Sequence, residues 1–248
     1  VHREYLGRVR AEEWSEKGTA DFVTRVDREA EERIVTLIRS RHPDHAILAE
    51  EGTAGPSASD EGAEWRWIID PLDGTTNYLH QYPAYAASVA VMKGDEPVAG
   101  AVVDGATGDA WTASRGGGAF LNSAPITVSE VDRLSHALIG TGFPFKARQL
   151  LPTYTRQFEA VLVRTAGVRR AGSAALDLCH VATGYFDGFW ELDLAPWDYA
   201  AGALIVREAG GLVTALDGEL DLTQGGSVLA GNPTIYEELK ALLGTRKR

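Results

Sequence analysis

The chain has 248 residues, with 24 lysines and arginines against 35 aspartates and glutamates, for a net charge of −11. That length can bury a sizeable core as one large domain or two small ones, and the acid excess gives no expectation of a nucleic-acid-binding surface, while bound divalent cations would offset part of it. No run approaches the roughly 18 apolar residues that cross a bilayer, no charged-then-apolar signal segment is read at the start, and the lone Cys179 excludes an internal disulfide or a thiolate metal cluster. A cytoplasmic enzyme is the default expectation.

Residues 1–14 read as the remainder of an amphipathic helix, as though the start were truncated. Residues 27–41 place Ala30, Ile34, Leu37 and Ile38 at helical spacing and charges elsewhere, which predicts a helix with one buried face. Residues 46–49 and 67–69 read as short buried strands, and the polar stretch 52–64 between them as a mobile surface loop. Strand-like pieces at 87–92, 98–103 and 110–113, broken at Gly94-Asp95 and at 105–109, predict an antiparallel meander. The run Gly116-Gly117-Gly118 reads as a turn and not a phosphate loop, because no Lys-Ser/Thr pair and no helix follow it. Residues 130–135 come nearest to a linker. Beyond them, helical and strand-like segments alternate over 146–164, 168–170, 174–183, 186–192, 196–209, 212–215, 228–230 and 234–243, a pattern of α/β layering. Cys179 falls on the third of these as a buried thiol, and the basic tail 246–248 reads as a solvated end.

The stretch Asp70-Pro71-Leu72-Asp73-Gly74-Thr75-Thr76-Asn77 follows the apolar Trp67-Ile68-Ile69. Pro71 has no N–H and a fixed φ, so Asp70 and Asp73 are expected outside any helix or ladder. Gly74 permits a sharp bend and a close approach of the backbone to a ligand. Such a turn can aim Asp70, Asp73 and the Leu72 carbonyl at one point, supplying the oxygen ligands of Mg²⁺ or Ca²⁺. The plainer reading is an Asp-rich surface turn.

Further acids lie far away in sequence. Glu50-Glu51 closes the apolar 46–49 segment, Asp198 opens a helix after Pro196-Trp197, and Glu191 and Asp193 flank Leu192 on what alternation makes one face. Each has a plain reading as a surface residue or a helix-terminal charge. In Asp21-Phe22-Val23-Thr24-Arg25-Val26-Asp27, Thr24 or Asp27 can cap a helix. Alternatively, Asp27 accepts a hydrogen bond from Thr75, whose hydroxyl then orients or deprotonates a water. Phosphoryl transfer explains why such groups would gather, because cations neutralise a phosphomonoester while the N–H groups of Gly74 and Thr75 hold it. His2, His42, His45, His80, His136 and His180 show no metal-ligand spacing and receive no catalytic role.

At this level of detail the chain resembles the inositol monophosphatase family of Mg²⁺-dependent, lithium-sensitive phosphatases. Residues 70–77 resemble its Asp-Pro-Ile/Leu-Asp-Gly-Thr-Thr/Ser-Asn signature. Trp197-Asp198-Tyr199-Ala200-Ala201-Gly202 with Glu208-Ala209-Gly210-Gly211 resembles a second block. Lys17-Gly18 with Asp21, Thr24 and Asp27 resembles a third, and Glu50-Glu51 a fourth, all in the family's order. The resemblance implies a five-layer αβαβα sandwich, an α+β or layered α/β fold, forming one catalytic unit over 1–248. Its half 1–135 would carry the main metal site and its half 136–248 Asp198 and the substrate-binding residues.

Residue by residue, the resemblance implies that Glu50, Asp70, the Leu72 carbonyl and Thr75 bind a first Mg²⁺. Asp70, Asp73 and Asp198 would bind a second, and Glu51 would hold water near a weaker third. Thr75 paired with Asp27, helped by Glu50, would activate the attacking water, and Gly74 with Thr75 would bind phosphate. Asp73, Gly172, Ser173, Ala174, Glu191 and Asp198 match positions that hold the hydroxyl-bearing part of the substrate. Residues 141–146, 169–177 and 194–198 look most like the bacterial inositol-1-monophosphatase branch, so the expected substrate is myo-inositol 1-phosphate and the expected assembly a homodimer, with no membrane partner. Relatives with the same metal signature act on fructose 1,6-bisphosphate, NADP, adenosine 3′,5′-bisphosphate or histidinol phosphate, which stand as alternatives. A regulatory binding protein on the same fold, engaging a macromolecular partner, is another.

Overall fold

The computed structural model describes residues 1–9, 12, 14–18, 21–54 and 62–244. The tail 246–248 and part of the polar 52–64 stretch lie outside them. Strict alternation builds the first sheet. Along β5 (Ala86–Lys93), Ala86, Ser88, Ala90 and Met92 are buried and their neighbours less so, the period-two pattern of a strand with its two faces in different surroundings. It pairs antiparallel with β4 (Trp65–Asp73) and with β6 (Glu96–Asp104), and β7 (Ala110–Ser114), β8 (Gly118–Leu121) and β9 (Ala124–Pro125) extend the meander. Only β3 (Ala46–Ala49), at the other edge, runs parallel to its neighbour, β4. A hairpin of β1 (Ser15–Gly18) and β2 (Asp21–Val23) stands apart from this seven-stranded sheet.

The second sheet has five strands in the order β11 (Gly167–Arg169), β10 (Leu138–Thr141), β12 (Gly188–Leu194), β14 (Gly226–Gly231) and β13 (Leu212–Thr214). Both of its faces are covered, so its strands read as continuous apolar runs and not as alternations. Phe189 faces one core and Trp190 the other, as do Ala230 and Leu229.

Helices fill the spaces between. The helix α2 (Arg25–Arg41) packs Val35 and Ile38 on Ile69, covering the outer face of the seven-stranded sheet. On the inner face, Ile68, Ala90 and Met92 meet α5 (Ala174–Ala182) and α6 (Pro196–Glu208). These two helices also pack on the second sheet, whose far face carries α4 (Leu151–Leu162) and α7 (Pro233–Leu243). The order of layers is therefore helix, sheet, helices, sheet, helices, the expected αβαβα sandwich. As the central layer, α6 is apolar all round, with every residue from Tyr199 to Val206 buried. It fits because it is thin. A Cβ on Gly202 would lie 2.7 Å from Leu178, and one on Gly100 would lie 3.1 Å from the Ala201 Cα, overpacking of a kind that costs about 1–3 kcal/mol.

Several expectations need correction. The helix expected over 1–14 is short: α1 (His2–Tyr5) ends before Gly7, whose φ of +72° breaks the spiral. On α2 the buried stripe runs through Val26, Asp27, Ala30, Glu31, Val35 and Ile38, which turns Leu37 outward with 53% of its surface exposed. Residues 146–150 are not α-helical; α4 starts at Leu151, with Pro152 in its first turn, where a missing N–H costs nothing. Finally, Asp70 and Asp73 do lie in a ladder, opposite Ser88 and Ala86, because the strand bulges past Pro71 and Leu72 and resumes. No helix among the described residues is long and apolar enough to cross a membrane.

Candidate metal centre and active site

Element ends converge on one cleft of about 340 Å³. The end of β3 delivers Glu50, the bulged end of β4 delivers Asp70, Leu72 and Asp73, and Gly74 and Thr75 open the short helix α3 (Thr75–Leu79). From the second half come Gly172 and Ala174 before and within α5, Glu191 and Asp193 on β12, and Asp198 in the first turn of α6. Glycine is required at 74, where φ is +90° and a Cβ would lie 2.8 Å from the Ala84 carbonyl oxygen.

Local hydrogen bonds fix each acid. Asp70 Oδ1 accepts the Leu72 N–H at 2.9 Å and so braces the bulge. Asp73 Oδ2 accepts the Ser173 hydroxyl at 2.6 Å and the Ala175 N–H at 2.8 Å, tying β4 to the start of α5. Asp198 Oδ2 accepts the Ala195 N–H at 2.7 Å. Each of these three residues still offers a carboxylate oxygen, and those oxygens lie within 4.8 Å of one another.

Like charges this close, withdrawn from water, resist ionisation. Burial first, then the Glu50, Asp73 and Asp198 charges, push the Asp70 carboxyl well above its ordinary value. Burial also raises Asp73 to about 6, against the opposing bonds from Ser173 and Ala175. Asp198 rises to about 8, through burial and then the Asp73 and Glu50 charges. Asp73 and Asp198 keep part of their surface open to the cleft, so ions from solvent reach them. Three carboxylates that cannot all ionise alone, with a carbonyl and a hydroxyl beside them, fit a hard divalent cation that takes oxygen ligands.

Behind the cluster stands the Thr75–Asp27 pair. Thr75 Oγ1 lies 3.1 Å from Asp27 Oδ1 and 3.1 Å from the Leu72 carbonyl oxygen. With one hydroxyl hydrogen it can donate to only one of them at a time. Asp27 is fully buried, and its Oδ2 accepts both the N–H and the hydroxyl of Thr24, at 2.8 and 2.7 Å. Its capping role and its contact with Thr75 therefore coexist, one oxygen for each.

Besides Asp27, two of the expected residues stand back from the cleft. Ser173 is buried, caps α5 and directs its hydroxyl to Asp73, so it shapes the site without lining it. Glu51 is not among the lining residues either, and its N–H donates to Glu31 Oε2 at 2.7 Å.

Other contributors are not singled out by sequence spacing. Glu31, fully buried, also accepts the N–H and hydroxyl of Thr53 at 2.6 and 2.7 Å, which holds the segment just beyond Glu50. Its signal is an acid one turn after Asp27 on an otherwise apolar stripe. Asn77 donates from Nδ2 to the Ala84 and Ala171 carbonyls at 2.7 and 2.9 Å, joining the two halves. Phe143, Phe145, Lys146 and Arg170 form a further wall. Across it, the Glu191 carboxylate rests on Gly142 so closely that a Cβ there would overlap it. Burial and the Asp177, Asp198 and Asp73 charges raise Glu191 well above the usual carboxylate range, with Arg170 opposing.

Comparison with known proteins places this geometry in context. The profile of the inositol monophosphatase family matches residues 1–247. A Pseudomonas aeruginosa protein named Nus factor SuhB is 46% identical over 233 residues, covering 93% of this chain and 84% of that protein. An inositol-1-monophosphatase from Rhizobium meliloti is 45% identical over 238 residues, 96% of this chain and 88% of its own. Among solved structures, the extragenic suppressor protein suhB from Bartonella henselae superposes with a TM-score of 0.90 at 39% identity, covering 98% of this chain and 92% of the other.

Proposed function

Because the chain belongs to the inositol monophosphatase family, we propose that it hydrolyses a small polyol phosphomonoester, myo-inositol 1-phosphate, to inositol and inorganic phosphate. The convergence of Asp70, Asp73 and Asp198 in a cleft that also holds Thr75 carries this reading. In it, Glu50, Asp70, the Leu72 carbonyl and Thr75 hold one Mg²⁺, Asp70, Asp73 and Asp198 hold a second, and Glu51 stands near a weaker third. The chemistry supplied by bound Mg²⁺ is neutralisation of the phosphomonoester's charge and a lower pKa for water.

The chain's own groups do the rest. Thr75 Oγ1 takes a proton from the attacking water as its own hydroxyl proton passes to Asp27 Oδ1, the acceptor 3.1 Å away that also keeps the hydroxyl oriented. Glu50 assists the same water. The N–H groups of Gly74 and Thr75 bind phosphate, and Asp73, Gly172, Ala174, Glu191 and Asp198 receive the hydroxyl-bearing leaving group, with Ser173 acting through Asp73. The two halves of the chain act as one catalytic unit, in the cytoplasm and as a homodimer. Phosphate release from a panel of phosphomonoesters, with saturating Mg²⁺ and with EDTA, tests this. Inositol 1-phosphate turnover abolished by EDTA is expected, and EDTA-insensitive hydrolysis overturns it.

A second reading rests on the relatives named Nus factor. In this reading the same fold also engages a macromolecular partner without using the metal centre. Pull-down with Asp198→Asn separates the two activities: a partner retained by the inactive variant supports it.

A further inference from the structure

Arg170 has no part in the reaction as proposed above, yet the structure holds it in the cleft with care. Its guanidinium carbon stacks 5.1 Å from the Phe143 ring centre and 5.0 Å from that of Phe145, and the two rings meet edge to face at 5.6 Å. Contact of this kind with two rings restrains a long, flexible side chain and leaves its N–H groups for other acceptors. Among the described residues, those N–H groups donate to no protein acceptor. Gly172 makes room for them, since a Cβ there would lie 2.6 Å from an Arg170 Nη.

The neighbours define what this fork can read. Glu191 and Asp193 line the same cleft, as does Lys146, so this end offers two carboxylates and two cations. A second phosphate on the leaving group would meet the carboxylates as well as the cations. A flat base would find Phe143 and Phe145 already stacked on Arg170. A neutral polyol fits better, because each hydroxyl both donates and accepts: one can accept from Arg170, which only donates, and give its hydrogen to Glu191, which accepts. The forked geometry of a guanidinium further suits two adjacent oxygens over one.

We propose that Arg170, seated on Phe143 and Phe145, is a specificity-determining residue that binds a pair of vicinal hydroxyls on the leaving group. The proposal rests on the phosphatase reading above and names the substrate feature that this reading leaves open: a free vicinal diol beside the ester.

The test compares the Mg²⁺-loaded full chain with its Arg170→Ala and Arg170→Lys variants on myo-inositol 1-phosphate, fructose 1,6-bisphosphate and phenyl phosphate. Arg170→Ala should raise KM for inositol 1-phosphate by about tenfold or more, the worth of one charge-assisted hydrogen bond. It should leave kcat near the parent's and leave phenyl phosphate within about twofold, as that substrate has no hydroxyl for Arg170 to hold. Arg170→Lys keeps the charge without the fork and should restore only part of the loss. Equal losses on all three substrates overturn the proposal, as does no loss on any, or a loss confined to the bisphosphate. A parent protein inert on all three, phenyl phosphate included, overturns the phosphatase reading together with this one, whereas an active parent with an indifferent Arg170→Ala overturns this one alone.

Discussion

At the N-terminal end of α6, Asp198 shares a cleft with Asp70 and Asp73, each with a carboxylate oxygen facing the other two. At the C-terminal end, Glu208 accepts the N–H of Gly116 and of Gly118, both at 2.9 Å, with one oxygen for each donor. Both acids come from one signature block, yet only the first belongs to a site. Glu208 takes the Gly116 and Gly118 N–H groups, and the Gly117 N–H goes to the Ser114 carbonyl, so all three donors of the turn are used within the protein. Asp187 repeats the pattern by taking the Ser129 hydroxyl and the Leu138 N–H at 2.6 Å each. What distinguishes the cleft is repulsion left standing, which a bound cation relieves.

That contrast breaks first at Asp70. Asp70→Asn should cut turnover by about 10³-fold or more, since it removes a charge expected to serve both cations, while a melt in EDTA stays near the parent's, because Asn keeps an oxygen for the Leu72 N–H and burial already holds the Asp70 carboxyl protonated there. Near-normal phosphate release by the folded variant would sink the assignment. Next in size is Thr75→Val, nearly the same shape without the hydroxyl. It should lower kcat by about 10²-fold or more with KM little changed, and a KM effect alone would assign Thr75 to binding only.

The pH dependence follows from the raised carboxyls. In the metal-free protein Asp73 titrates near 6 and Asp198 near 8, both above the ordinary 3.8. The folded state therefore binds more protons than the unfolded one between those values, and stability falls as pH rises from about 4 to about 8. Mg²⁺ displaces those protons, so its stabilising effect should grow over the same interval. Melts in EDTA and in Mg²⁺ from about pH 5 to 8.5 read both slopes; an EDTA slope of the opposite sign contradicts the electrostatics. Smallest is Glu208→Gln, expected to cost about 1 kcal/mol in denaturant unfolding and to leave kcat/KM unchanged.

Legibility in the sequence followed distance along the chain. The meander is readable because alternation and glycine breaks are local, and the pairing of Asp70 with Asp73 because the two acids sit within a few residues of one another. The layer order was not, since residue spacing alone cannot say that α5 and α6 slide between two sheets; the family resemblance carried it. Spacing alone puts Leu37 on the buried face because it fits two overlapping stripes, and only packing on Ile69 selects one. The aromatic seat of Arg170 was invisible for the same reason: Phe143, Phe145 and Arg170 meet only after β11 pairs beside β10.

The Asp73 side chain joins two neighbourhoods at once. One oxygen takes the Ser173 hydroxyl and the Ala175 amide, and the carboxylate also contributes to the acidic cluster. Whatever pulls on this carboxylate from the cleft is thus felt at the first turn of α5, in the middle layer of the sandwich. The Ala175 amide becomes a built-in reporter, whose hydrogen-exchange rate should slow when Mg²⁺ is added and recover when it is chelated.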